Sequence, residues 1–161
     1  MSQISRGSTR RQEKRIRLLI VEDNPDHSFF ILKAIQESFS AADPVLVTTE
    51  ETALEYLERC AINPQEMPLL VLLDLYFPTR EKGLALLRAI KDQPAPVSQV
   101  PVVVFSSSSA EEDISDSYEQ GVNSYVVKPM SYDAWREYFQ ALREYWMDVV
   151  SLPDQRFTQF L

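Results

Sequence analysis

Four polar sites in this 161-residue sequence stand where an apolar run stops. Glu22-Asp23 follow Leu18-Leu19-Ile20-Val21, and Asp74 follows Leu69-Leu70-Val71-Leu72-Leu73. Ser106 follows Val102-Val103-Val104-Phe105, and Lys128-Pro129 follow Val126-Val127. An acid directly after five apolar residues needs a reason to be there. If the four sites meet, three carboxylates repel one another and raise one another's pKa. A divalent cation resolves that conflict, and oxygen ligands with room for water and a phosphate oxygen suit Mg2+ better than softer metals. An ionised Asp beside Mg2+ can attack phosphorus as a nucleophile and form an aspartyl phosphate. A lysine and a hydroxyl then neutralise and hydrogen-bond the new dianion. Glu22 and Asp23 also suit the start of a helix, where acids complement the dipole, and both roles can hold together.

Whether these residues meet depends on the elements that carry them. Five short runs rich in Val, Leu and Ile (17–22, 44–48, 69–74, 101–106 and 122–127) alternate with stretches of helical period. The first, third, fourth and fifth are apolar on both faces, as strands of a parallel sheet covered on both sides by helices are. The first helix starts near Pro25-Asp26 and turns Phe29, Phe30, Leu32 and Ile35 to one side. The second opens on Thr48 and Glu51, spaced as a capping box, and the fourth on Ser109 and Glu112 in the same way before ending at Gly121. The third is expected from about Gly83 to Lys91, and the fifth over 131–150. Five successive βα units predict a doubly wound α/β sheet with right-handed crossovers, whose site lies outside the carboxyl ends of the strands. That rule brings Glu22, Asp23, Asp74, Ser106 and Lys128 to one edge.

At this point the sequence resembles the receiver domains of two-component response regulators over about residues 16–145. The resemblance rests on Glu22-Asp23, Leu72-Leu73-Asp74, Pro78 four residues later, Val103-Val104-Phe105-Ser106 and Tyr125-Val126-Val127-Lys128-Pro129. It implies a flavodoxin-like receiver fold of strand order 2-1-3-4-5, and a phosphoryl group passed to Asp74 from a sensor histidine kinase. It also implies Mg2+ held by Glu22, Asp23, Asp74 and the Tyr76 backbone carbonyl. Ser106, rather than the neighbouring Ser107, is cast as the switch hydroxyl that turns toward the phosphate, Tyr125 as the coupled rotamer and Lys128 as the phosphate's cation. The Lys128–Pro129 bond matches the family's cis peptide, which X–Pro bonds adopt at low cost. Three features depart from the common pattern: Gly83 comes nine residues after Asp74, one later than usual; Glu22 stands where Asp is commoner; Tyr76 is bulky.

The ending Glu144-Tyr145-Trp146, with Val149, Val150, Leu152 and Pro153, resembles the phytochrome-associated receivers of cyanobacteria and other bacteria, which dimerise. A helix over 131–150 would be about 30 Å long, more than the sheet needs, so its last turns are expected to project. Tyr145, Trp146, Val149, Val150 and Leu152 there form an apolar patch suited to a homodimer. The expected organisation is therefore a basic, solvated leader over 1–15, a receiver over 16–145, and a contact-forming extension over 146–161.

Composition narrows the alternatives. The net charge of −8 combines +5 over residues 1–17 with −13 elsewhere, so the body repels nucleic acid. No apolar run reaches the roughly 18–20 residues of a membrane span, and no signal-peptide segment is evident, which points to the cytoplasm. Cys60 is the one cysteine and fits an apolar helix face; His27, the one histidine, reads as a surface residue on the first turn of the first helix. A phosphatase of the aspartyl-phosphate type needs a second acid two residues after the nucleophile, where this chain has Tyr76. With three glycines and no Gly-x-Ser-x-Gly, neither a nucleotide cradle nor a serine hydrolase elbow can be built. With these set aside, the resemblance implies a phosphoacceptor signalling protein rather than an enzyme, and with residues 146–161 too few for an output domain, the receiver's own protein contacts are expected to carry the signal. The rival is a receiver-like module that works without phosphate, which loss of Asp74, Lys128 or the acidic pair would signal; all are present. The fourth helix has few apolar anchors beyond Ile114 and Tyr118, and is expected to be loosely held.

Overall fold

The computed structural model describes residues 16–149. Strands β1 (Ile16–Val21), β2 (Ala42–Val47), β3 (Leu70–Leu73), β4 (Val102–Ser106) and β5 (Ser124–Val127) form one parallel sheet in the order β2-β1-β3-β4-β5. Helices α1 (Pro25–Ser38), α2 (Glu50–Ile62), α3 (Arg80–Lys91), α4 (Glu111–Glu119) and α5 (Tyr132–Glu144) alternate with them.

Strand side chains alternate between the two faces, and each face has its own core. Leu18, Ile20, Leu70, Leu72, Val103 and Phe105 pack with Ile31 and Ile35 of α1 and with Trp135, Phe139 and Leu142 of α5. Leu19, Val21, Val71, Leu73, Val102 and Val104 pack with Leu57 of α2 and with Leu86, Leu87 and Ile90 of α3. The pairing register then sets the site: Val21 lies beside Val47 and Leu73, Leu73 beside Val104, and Ser106 beside Val127. Ser106, which ends β4, and the first polar residues after β1, β3 and β5 consequently emerge along one edge.

Several local expectations shift. The cap of α2 is Thr49, not Thr48: the Thr49 hydroxyl accepts from the Thr52 amide, and the Thr49 amide donates to the Thr52 hydroxyl. Thr52 takes the return bond that Glu51 was expected to make. No Ser109–Glu112 box forms at α4, which begins after Ala110 without a side-chain cap; its Asp113 takes up the Ser108 hydroxyl instead. Helix α3 begins a turn before Gly83, at Arg80, capped by Thr79. Run 122–127 becomes a strand only from Ser124, half-buried rather than covered on both faces, because β5 is the sheet's edge. Lys128–Pro129 is trans; among the described residues the cis bonds are Phe77–Pro78 and Ala95–Pro96. A motif cannot settle that isomer, since the two differ by only about 0.5–1 kcal/mol before tertiary contacts act.

The end of the chain differs most. The α-helix stops at Glu144 and passes into one π-helical turn, Tyr145–Val149. Trp146, expected on a projecting interface, is 8% exposed and belongs to the core with Phe139 and Leu142. The reason is spacing: Trp146 is four residues after Leu142 and shares its face. Tyr145 is 54% exposed, while Val150 and Leu152, like the basic leader, lie outside the described residues. No helix among the described residues is long and apolar enough to cross a membrane.

Gly83 has a steric role that its place in α3 makes plain. A Cβ there would lie 1.6 Å from the Leu75 carbonyl oxygen, a backbone atom beside Asp74. Gly83→Ala is therefore expected to destabilise the fold by on the order of 3 kcal/mol, the upper range for overpacking. Urea unfolding checks this, and a change below about 1 kcal/mol would mean that α3 can move off the loop freely.

Candidate functional site

Each site residue is placed by its own element. The Asn24 side chain caps α1 by accepting from the amides of Asp26 (2.9 Å) and His27 (3.2 Å), and the Asn24 amide donates to Glu22 Oε1 (3.0 Å). Glu22 is thus turned inward at the end of β1 and buried, while Asp23 stays exposed. The Asp74 amide donates to the Val21 carbonyl (3.0 Å), which seats Asp74 beside Glu22. The Lys128 amide donates to the Ser106 carbonyl (2.7 Å), which aligns the ends of β4 and β5.

The side chains then converge. Carboxylate oxygens of Glu22, Asp23 and Asp74 lie within 4.8 Å of one another. Lys128 Nζ donates to Glu22 Oε2 (2.7 Å) and Asp74 Oδ2 (3.2 Å), and lies 2.8 Å from His27 Nδ1. Asp74 Oδ1 accepts from the Tyr76 amide (3.1 Å). Asp23, His27, Asp74 and Lys128 open onto a cleft that Asn24, Tyr76, Pro78, Ser107 and Ser108 also line.

Three carboxylates face one lysine, so the cluster carries excess negative charge. Burial, and after it the Glu22 charge, push the Asp74 carboxyl up to about 6, with Lys128 opposing. A hard divalent cation fits this donor set: it would relieve the repulsion and accept all three oxygen ligands.

Ser106 is fully buried, and its hydroxyl accepts from the Ser108 amide (3.1 Å). The Tyr125 hydroxyl donates to the Ser108 carbonyl (2.7 Å), and the Tyr125 amide donates to the Tyr118 hydroxyl (3.3 Å). Tyr125 is therefore tied to the loop after Ser106.

His27 is the residue that sequence reasoning left on the surface. It is half-buried, and its Nδ1 accepts from the Lys128 ammonium. Burial first and the Lys128 charge second keep its pKa below the usual value, against the pull of Asp74, Asp26 and Asp23, so the neutral ring is favoured. Its place one turn into α1 was the available signal, but that spacing alone does not say which way the ring points. Asp113 and Arg80 also escaped notice, as an acid in an acidic helix and a basic residue in a loop; they form an ion pair, and Arg80 reaches Asp116 as well.

A five-stranded parallel sheet with an acidic pair after β1, an acid after β3, a hydroxyl at the end of β4 and a lysine after β5 defines a receiver. The chain belongs to the response regulator receiver domain family, whose model matches residues 18–149. It is similar to the probable methanogenesis regulatory protein FilR2 of Methanothrix harundinacea, with 31% identity covering 81% of this chain and 83% of that protein. Its fold is similar to that of the phosphorylated cyanobacterial phytochrome response regulator RcpA (TM-score 0.75, 31% identity, 86% of this chain and 99% of the other). A further likeness is to the Mn2+-bound form of response regulator Rcp1 (TM-score 0.71, 28% identity, 86% and 99%). Response regulators of this family are signalling proteins that work with histidine kinases.

The raised Asp74 value yields a direct prediction. In chelator, the Asp74 carboxyl carbon should titrate with a midpoint of about 6 by NMR. A divalent cation should move that midpoint down, because the ligand must be ionised to bind it. A midpoint near 4 without metal, as in an exposed aspartate, would mean that Glu22 and burial do not act on Asp74 as the geometry requires.

Proposed function

We propose that this receiver accepts a phosphoryl group on Asp74 from a sensor histidine kinase, with Mg2+ in the acidic cluster, and signals by altered protein contacts. The observation that carries the reading is the meeting of Glu22, Asp23 and Asp74 within 4.8 Å, with Lys128 Nζ 3.2 Å from Asp74. The kinship with the phytochrome response regulator RcpA makes a phytochrome the favoured class of kinase.

In the proposed reaction an Asp74 carboxylate oxygen forms a bond to phosphorus as the P–N bond of a phosphohistidine breaks. The electron pair stays on the departing imidazole nitrogen. Mg2+, held by Glu22, Asp23, Asp74 and the Tyr76 carbonyl, would supply positive charge to the phosphoryl oxygens. Lys128, already hydrogen-bonded to Asp74, offers the second cation without travelling far. Ser106 would give up the Ser108 amide to turn its hydroxyl to the phosphate, and Tyr125, bonded to Ser108, would follow.

Wild-type protein treated with a small phosphodonor and Mg2+ should gain one phosphate by intact mass. Asp74→Asn keeps the shape but not the nucleophile, and should gain none while remaining folded. Chelator, or Glu22→Ala with Asp23→Ala, should suppress the gain. Equal uptake with and without chelator, or a label mapped elsewhere than Asp74, would defeat the assignment.

The apolar ending is proposed to make a homodimer, now through Tyr145 and Met147, both exposed, with Val149, Val150 and Leu152. Because Trp146 serves its own core, deleting the ending would damage the fold and prove nothing. Tyr145→Glu with Met147→Glu should instead yield a folded monomer by light scattering. A wild-type protein that is monomeric at micromolar concentration would sink the proposal.

A further inference from the structure

Helix α4 buries polar residues where a helix on a sheet ordinarily buries apolar ones: its buried positions are Asp113 and Ser117. Asp113 is 4% exposed and serves as a shared acceptor. It takes the Tyr76 hydroxyl (2.7 Å), the Ser108 hydroxyl (2.6 Å) and the Arg80 guanidinium. Ser117 closes the same turn by donating to the Asp113 carbonyl (2.7 Å).

The two hydroxyl arms lead back to the site. The amide of Tyr76 donates to Asp74 Oδ1 (3.1 Å), and the amide of Ser108 donates to Ser106 Oγ (3.1 Å). The groups form one circuit, Asp74–Tyr76–Asp113–Ser108–Ser106, that leaves the site and returns to it through α4.

We propose that Asp113 is a positioning residue that couples the switch hydroxyl to the phosphoacceptor and carries phosphorylation at Asp74 into helix α4. The physical reason is the cost of a buried carboxylate that loses its donors. When Ser106 turns, Ser108 must move; Asp113 then follows its donor or is left short of one. Since Asp113 sits in the first turn of a hydrogen-bonded helix, following means that α4 shifts as a unit. Against the effect of burial, the Ser108 hydroxyl first and the Arg80 guanidinium second hold the Asp113 carboxyl below its usual value, and Arg80 ties it to the start of α3, so the shift is a pivot rather than a release. This inference rests on Asp74 being the phosphoacceptor, and the test separates the two.

Hydrogen exchange of the α4 amides is measured with and without phosphate on Asp74, phosphate being counted by intact mass in the same samples. Wild-type α4 should change its exchange rates by about threefold or more. Ser108→Ala and Asp113→Ala should each remove most of that difference among phosphorylated molecules. Asp113→Asn, which keeps one oxygen to accept, should restore part of it, an outcome that mere loosening of α4 does not produce. A second measurement needs no phosphate: Tyr76→Phe and Ser108→Ala act on one shared acceptor, so their effects on α4 exchange should be non-additive. An undiminished α4 response in Ser108→Ala or Asp113→Ala overturns the inference, as does a phosphorylated wild type with silent α4, or strict additivity. No phosphate uptake by the wild type would instead refute the proposed function, and the additivity test alone would then judge Asp113.

Discussion

Parallel strands that stop at one level bring the carboxylates of Glu22 and Asp74 side by side, and the Lys128 ammonium lies between them at 2.7 and 3.2 Å. All three groups are buried. Two buried acids without that cation would face a desolvation cost of several kcal/mol for each ion. The lysine cannot be placed without β5, nor β5 without β4, so the edge strand is held in register partly by a charge contact at its end. The same contact leaves the cluster short of positive charge, which is the condition a divalent ion can answer.

The sheet supplies the rigidity this requires. Leu19, Val21, Val71 and Leu73 on one face, and Leu18, Ile20, Leu70 and Leu72 on the other, are fully or almost fully buried. Burying each such side chain contributes about 1.5–3 kcal/mol, so the strand ends cannot drift apart without exposing both cores. Gly83 extends that rigidity into the loop after Asp74, because α3 rests directly on the Leu75 carbonyl. Loops set on such a frame can carry polar groups whose own local propensities would not hold them in place.

The side of the molecule beyond β4 is built otherwise. Helix α4 is anchored by Asp113, Ser117 and the Arg80 ion pairs, and Tyr125 is held through its hydroxyl as well as its ring. Hydrogen bonds have direction and discrete partners, whereas apolar contacts of the kind that seat α1 and α5 tolerate small slides. A helix held in this way has few intermediate positions.

Much of this was legible in the residues themselves. Apolar runs long enough for strands but too short for helices, alternating with amphipathic stretches, point to a parallel α/β sheet, because helices on its two sides bury both faces of those runs. Polar residues at the ends of the runs then mark the candidate site, where Glu22, Asp23, Asp74 and Lys128 come together. Tertiary structure decided what depends on residues distant in sequence. Trp146 shares the face of Leu142, and it went into the core because that face packs toward α1 and the sheet, with Ile31, Ile35 and Leu70, rather than projecting into solvent. His27 turned to Lys128, 101 residues away, and Asp113 to Tyr76, 37 residues away, contacts that no local spacing encodes. The isomer at Lys128–Pro129 and the cap of α2 were settled by energy differences of about 1 kcal/mol or less, which sequence patterns do not resolve and a packed fold does.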